Sequence, residues 1–77
     1  MIILSYDGMK IIDAKKLYVS KNFGGKKEEK YSIVAETGMG EIIPVVVAVF
    51  PDEKVAADAL AKAFQAFAEG ARAYKFN

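Results

Sequence analysis

The stretch Ile42-Ile43-Pro44-Val45-Val46-Val47-Ala48-Val49-Phe50-Pro51-Asp52-Glu53-Lys54-Val55-Ala56-Ala57 contains the boundary that decides the fold. Up to Phe50 it is dominated by β-branched residues, which suit a pleated strand. Pro44 carries no N–H, so it marks the strand's start, an edge or a bulge. Pro51 then sets a rigid entry, and Asp52 has the side chain of a good N-cap. Glu53 adds a negative charge where the helix dipole favours one. Beyond this point no glycine occurs until Gly70, and nine alanines fall between Ala56 and Ala73. Ala56, Leu60, Ala63, Phe64, Phe67, Ala71 and Tyr74 recur at helical spacing as one apolar face. Lys54, Asp58, Lys62, Gln65, Glu69 and Arg72 take the opposite side. This predicts a helix over 52–74 whose aromatic stripe, Phe64 and Phe67 included, lies in the core.

Upstream of the boundary the pattern is that of strands. Ile2 to Tyr6 reads as the first, and Asp7-Gly8 as a hairpin turn, because both residues tolerate positive φ. Lys10 to Asp13 is the returning strand, and Leu17 to Ser20 the third. Asn22 to Glu29, with Gly24-Gly25, is polar and reads as a loop. Tyr31 to Ala35 is the fourth strand, Thr37 to Gly40 a turn, and Ile42 to Phe50 the fifth strand. Strands over 1–50 followed by one helix over 52–74 predict a single α+β domain covering 1–77. Its expected architecture is an antiparallel sheet of four to five strands packed by one C-terminal α-helix.

One helix covers one face of a sheet. In strict alternation Val45, Val47 and Val49 point one way, and Val46, Ala48 and Phe50 the other. Both faces of the fifth strand are then apolar. A second apolar face that the helix cannot reach points to an interface. Val45, Val46, Val47 and Val49 are therefore interaction candidates, and a homo-oligomer is the expected assembly.

The chain has 77 residues, 53% of them hydrophobic, and neither Cys nor His. It therefore lacks disulfides, thiolate nucleophiles and the commonest general base and metal ligand. Asp7 and Asp13 flank the predicted hairpin, but the turn and the strand exit account for them, and no nucleophile accompanies them. Gly24-Gly25-Lys26-Lys27 leads into a strand, whereas a phosphate-binding loop opens a helix. No catalytic, cofactor-binding or metal-ligating pattern emerges, so no cofactor is expected. Eleven Lys/Arg against ten Asp/Glu give a net charge of +1. From Lys10 to Lys30, however, seven lysines face three acids, with Tyr18 and Phe23 among them and Tyr31 directly after. Lys15, Lys16, Lys26 and Lys27 are thus further interaction candidates, and lysines interleaved with aromatics can track a nucleic-acid backbone. The near-neutral total and the single arginine weigh against that partner. Lysines on an edge strand also serve to block aggregation. The longest apolar run, Ile42 to Phe50, is too short for a membrane span. With no basic leader pattern at Met1 to Asp7, a cytoplasmic location without membrane contact is expected.

The chain resembles a group of small uncharacterised proteins from Firmicutes genomes and their phages or integrative elements. The resemblance lies in Ile3-Leu4-Ser5-Tyr6-Asp7-Gly8, in Tyr31-Ser32-Ile33-Val34-Ala35, in the acidic helix start at Asp52 feeding an Ala-rich helix to Ala68, and in Gly70 followed by Tyr74. It implies carriage by a mobile element and brings no activity or site residues. The expected function is that of a small non-enzymatic protein-interaction module, homo-oligomeric and open to a further protein partner. The alternatives are a phage-type inhibitor of a host defence system acting through the lysine-rich face, or a lysine-dependent nucleic-acid-binding module.

Overall fold

A computed structural model describes residues 1–22, 26–38 and 44–77. The chain runs through β1 (Ile2–Leu4), β2 (Ile11–Asp13), β3 (Lys16–Lys21), a 3₁₀ turn (Lys27–Glu29), β4 (Tyr31–Glu36), β5 (Val45–Phe50), α1 (Glu53–Ala68) and β6 (Ala73–Lys75). The expected Ile42-Ile43 start of the fifth strand, the Met39-Gly40 part of a turn and the Gly24-Gly25 loop lie outside the described residues.

The fold is α+β, but the strands form two three-stranded sheets in place of the expected single sheet of four to five. The first has the order β2-β1-β6, and the second β3-β4-β5. All pairings are antiparallel except β1 with β6, which is parallel. The chain changes sheet at a single peptide: Ala14 N–H donates to Met1 O (2.7 Å) and Lys15 N–H to Glu36 O (2.8 Å). A second corner forms where Tyr6 N–H donates to Val47 O (2.8 Å). Such corners let strands wrap a common core instead of extending one flat sheet.

The hairpin at Asp7-Gly8 forms as the sequence predicts. Gly8 takes φ +73°, and the buried Ser5 ties both arms, its hydroxyl donating to Asp7 Oδ1 (2.6 Å) while Lys10 N–H donates to Ser5 Oγ (3.1 Å).

The helix begins as expected. Asp52 is extended, and Val55 N–H donates to its Oδ1 (2.9 Å). It ends earlier than the predicted residue 74. Gly70 adopts φ +98°, Gly70 N–H donates to Phe67 O, and Ala71 N–H donates to Ala66 O, both at 3.0 Å. This is the Schellman pattern of hydrogen bonds, which the achiral residue allows. The chain then turns back, and Tyr74, assigned to the helix by its spacing, lies in β6 beside β1.

The core gathers Ile3, Ile12, Ile33, Val47, Ala48 and Phe76 around Ala56 and Ala63 of α1. The two alanines are wholly enclosed, so the helix backbone lies close to the sheets. Leu60 and Phe67 flank them, half-buried, and Phe67 meets Tyr74, whose ring takes Phe76 edge-on at 5.1 Å. Phe64 is not in the core: it is 74% exposed. It stands roughly 80° round the helix from Ala56, on the side of Ala57 and Ala61.

The strict alternation expected in β5 also fails. Ile33 pairs with Ala48 but Val34 pairs with Val46, so Val47 is an extra residue, a β-bulge. Val47 and Ala48 are consequently both fully buried, although strict alternation would set them on opposite faces. No helix among the described residues is long and apolar enough to cross a membrane.

Candidate interaction groove

The strand β3 is an edge of the second sheet. Its register with β4 pairs Lys16 with Glu36, Leu17 with Ala35, Tyr18 with Val34, Val19 with Ile33 and Ser20 with Ser32. Asn22 N–H donates to Lys30 O (2.7 Å), extending the same register. Mutually bonded pairs alternate along an antiparallel ladder. The even-numbered residues of β3 therefore direct their N–H and C=O groups to β4, and Leu17 and Val19 direct theirs outward. Among the described residues no hydrogen bond reaches those outward groups.

The side chains of Leu17 and Val19 pack against the core on the side of α1. Between the β3 edge and the helix runs an open groove of about 630 Å³. Leu17 and Val19 form one wall; Ala57, Leu60, Phe64 and Phe67 are prominent in the other. The small Ala57 and Ala61 side chains deepen the groove, and Phe64 stands over it. The charged residues bordering it on the strand side are Lys15 and Lys16; alternation sets the Lys16 side chain on the face of β3 opposite Leu17 and Val19, beside Tyr18. A shallower continuation, past Val19 and Ala57, brings in Lys21 and Glu53.

Neighbouring polar contacts hold the strand wall in place. Tyr18 O–H donates to Glu36 Oε2 (2.6 Å), and the Lys16 ammonium lies 5.1 Å from the Tyr18 ring centroid. The carboxylate that accepts from Tyr18 raises the phenol's pKa above its ordinary value of 10.0, with burial adding to the effect. Gly38 takes φ +71°, and a Cβ there would meet Lys15 Cγ at 3.1 Å, so the backbone of the turn rests on the Lys15 stem. At the other end of β3, Asn22 Nδ2 donates to Glu29 O (2.8 Å) and to the buried Ser32 hydroxyl.

The residues singled out by sequence divide sharply. Lys15 and Lys16 border the groove. Lys26 and Lys27 are exposed beyond the far end of β3, which at about 3.4 Å per residue separates the two lysine pairs by roughly 17 Å or more. Val47 is enclosed at the bulge, and Val45 is half-buried against the core. Val49 is half-buried, leaving Val46, 41% exposed, as the accessible valine of the four. Asp7 lies at the hairpin tip and Asp13 opposite Ile2 at its base, so the two carboxylates are held apart. The Ser5 hydroxyl and then the Met9 N–H hold the Asp7 carboxyl below its ordinary pKa of 3.8. Sequence reasoning missed the groove because it assigned Phe64 to the core. The available signal was the doubled choice of Ala63 or Phe64 for one place on the stripe, of which the smaller is enclosed. Compared with family models, curated proteins and solved structures, the chain matches none.

Proposed function

We propose that this protein is a non-catalytic protein-interaction module that receives a protein partner in the groove between β3 and α1. The observation that carries this reading is Phe64: a large aromatic side chain, 74% exposed, above a groove walled by Leu17, Val19, Leu60 and Phe67. Exposed aromatics beside apolar pockets are the usual anchors of protein interfaces. Full cover of such a side chain contributes about 1.5–3 kcal/mol. Among the described residues that line the groove none carries a carboxylate, hydroxyl or thiol, which suits recognition better than chemistry. The same reasoning moves the expected docking surface from the valines of β5 to this edge, since the bulge has already drawn Val47 inside.

The test is a selection of random displayed peptides on the immobilised protein, followed by Phe64→Asp and, as a control, Val46→Asp. Clones whose affinity falls by about tenfold or more with Phe64→Asp, and is unchanged with Val46→Asp, are the expected result, because tenfold corresponds to ~1.4 kcal/mol. Failure to enrich any clone, or clones indifferent to Phe64→Asp, would refute the reading.

A further inference from the structure

We infer that the groove binds its partner by strand addition. The occupant is an extended segment of another protein, apolar at alternate positions and acidic between them. This rests on the groove reading above and specifies its ligand.

The first ground is the backbone. Leu17 and Val19 each offer an outward N–H and C=O, spaced as successive bonded positions of an antiparallel ladder, with nothing paired to them among the described residues. A segment laid along this edge exchanges hydrogen bonds with Leu17 and Val19. Its residues opposite those two place their side chains on the same face as Leu17 and Val19, which is the groove side. The bonded positions of the ligand are therefore also its anchoring positions. A bound helix has no spare N–H groups along its middle and would leave the edge unsatisfied. Edge strand, apolar groove and helix wall together form the arrangement in which main-chain bonds supply affinity and alternate side chains supply specificity.

The second ground is charge. Lys15 and Lys16 stand on the strand side, and the helix wall made by Ala57, Leu60, Ala61, Phe64 and Phe67 carries none. Side chains of an added strand that point away from the groove rise beside Lys16, while the Glu36 carboxylate lies beyond it on β4 and accepts from Tyr18 O–H, so acids at the edge are favoured and cations opposed. The same lysines argue against a second copy of this chain. A second β3 laid along this edge offers Lys16, Tyr18 and Ser20 on the face away from the groove and no acid to meet Lys16.

The probe is the fluorescently labelled peptide acetyl-Asp-Leu-Asp-Val-Glu-Leu-Asp-amide, titrated against the full chain by anisotropy and by amide-resolved NMR. Saturable binding is expected, with Leu17 and Val19 N–H exchange slowed by about tenfold or more at saturation. N-methylation of the probe's Val and second Leu removes two hydrogen bonds and should weaken binding by about tenfold or more. Lys15→Gln and Lys16→Gln should each weaken it about two- to fivefold, and the all-lysine counterpart of the probe should not compete. Binding that ignores N-methylation and leaves Leu17 and Val19 exchange unchanged overturns strand addition. If displayed clones still depend on Phe64, the groove reading survives that result. Absence of binding at millimolar probe likewise overturns the proposal, and if no displayed clone binds either, both readings fall together. Equal binding of the all-lysine probe overturns the acidic specificity. Protection of Leu17 and Val19 that rises with protein concentration in the absence of probe would identify a second copy of the chain as the occupant and refute the inference.

Discussion

Phe76→Ala offers the sharpest test of the packing. The Phe76 ring is 2% exposed. It meets Tyr74 edge-on at 5.1 Å, and Phe76 N–H donates to Leu4 O (3.2 Å), extending the β1–β6 pairing. Removing a buried phenylalanine ring costs about 3–5 kcal/mol, lost transfer energy and cavity together. The ring pair with Tyr74 accounts for ~0.5–1.5 kcal/mol of such a loss. A core of this size supplies about 3–5 kcal/mol of net stability in all. The variant should therefore sit near its unfolding midpoint in buffer. With a urea slope of about 1 kcal/mol per molar for so small a chain, the midpoint should fall by about 3 M, read by far-UV circular dichroism. Phe64→Ala is the matched control: the same atoms are deleted from a surface site, and the cost should stay within about 0.5 kcal/mol. A fall of less than about 1 M for Phe76→Ala, or an equal fall for Phe64→Ala, would mean that α1 is rotated or β6 is undocked, and the argument for the groove would go with it.

Three further outcomes follow from particular contacts. Asp52→Ala removes the acceptor for Val55 N–H and should cost about 1 kcal/mol, measured as a lower urea midpoint with an unchanged slope. Tyr18, whose pKa is raised by its bond to Glu36, holds its proton more tightly when folded; the stability this contributes is present below the unfolded pKa near 10.0 and is lost as pH rises through the higher folded value. Glu36→Gln should bring the phenol's ultraviolet titration back toward its ordinary range. Asp7 shows the opposite sign: its carboxyl is held low by Ser5 and Met9, so its contribution is present above the unfolded value near 3.8 and disappears as pH falls through the lower folded value. In Ser5→Ala the Asp7 carboxyl carbon, followed by NMR, should titrate at higher pH than in the parent protein.

Local chemistry made several features of this protein legible in the sequence alone. Asp7-Gly8 closes a hairpin because the turn needs positive φ, and Gly8 supplies it. Asp52 starts the helix because its carboxylate reaches the N–H three residues on, a distance fixed by helical geometry. Tertiary structure decided what the periodicities left degenerate. Leu60, Ala63, Phe64 and Phe67 satisfy one helical stripe equally well by spacing, but only a small side chain fits where the helix backbone approaches the sheets. Ala63 is therefore enclosed and Phe64 displaced to the surface. The bulge at Val47 depends on how β5 registers against β4 and bonds to Tyr6, partners far away in the chain. The end of the helix was decided by competition. Tyr74 continues the helical spacing, but beyond the left-handed Gly70 its backbone finds β1 as a partner, and that pairing buries Phe76. The groove arises from both outcomes, since it needs an unpaired β3 edge and a helix turned to present Phe64, and neither is a property of any local stretch of residues.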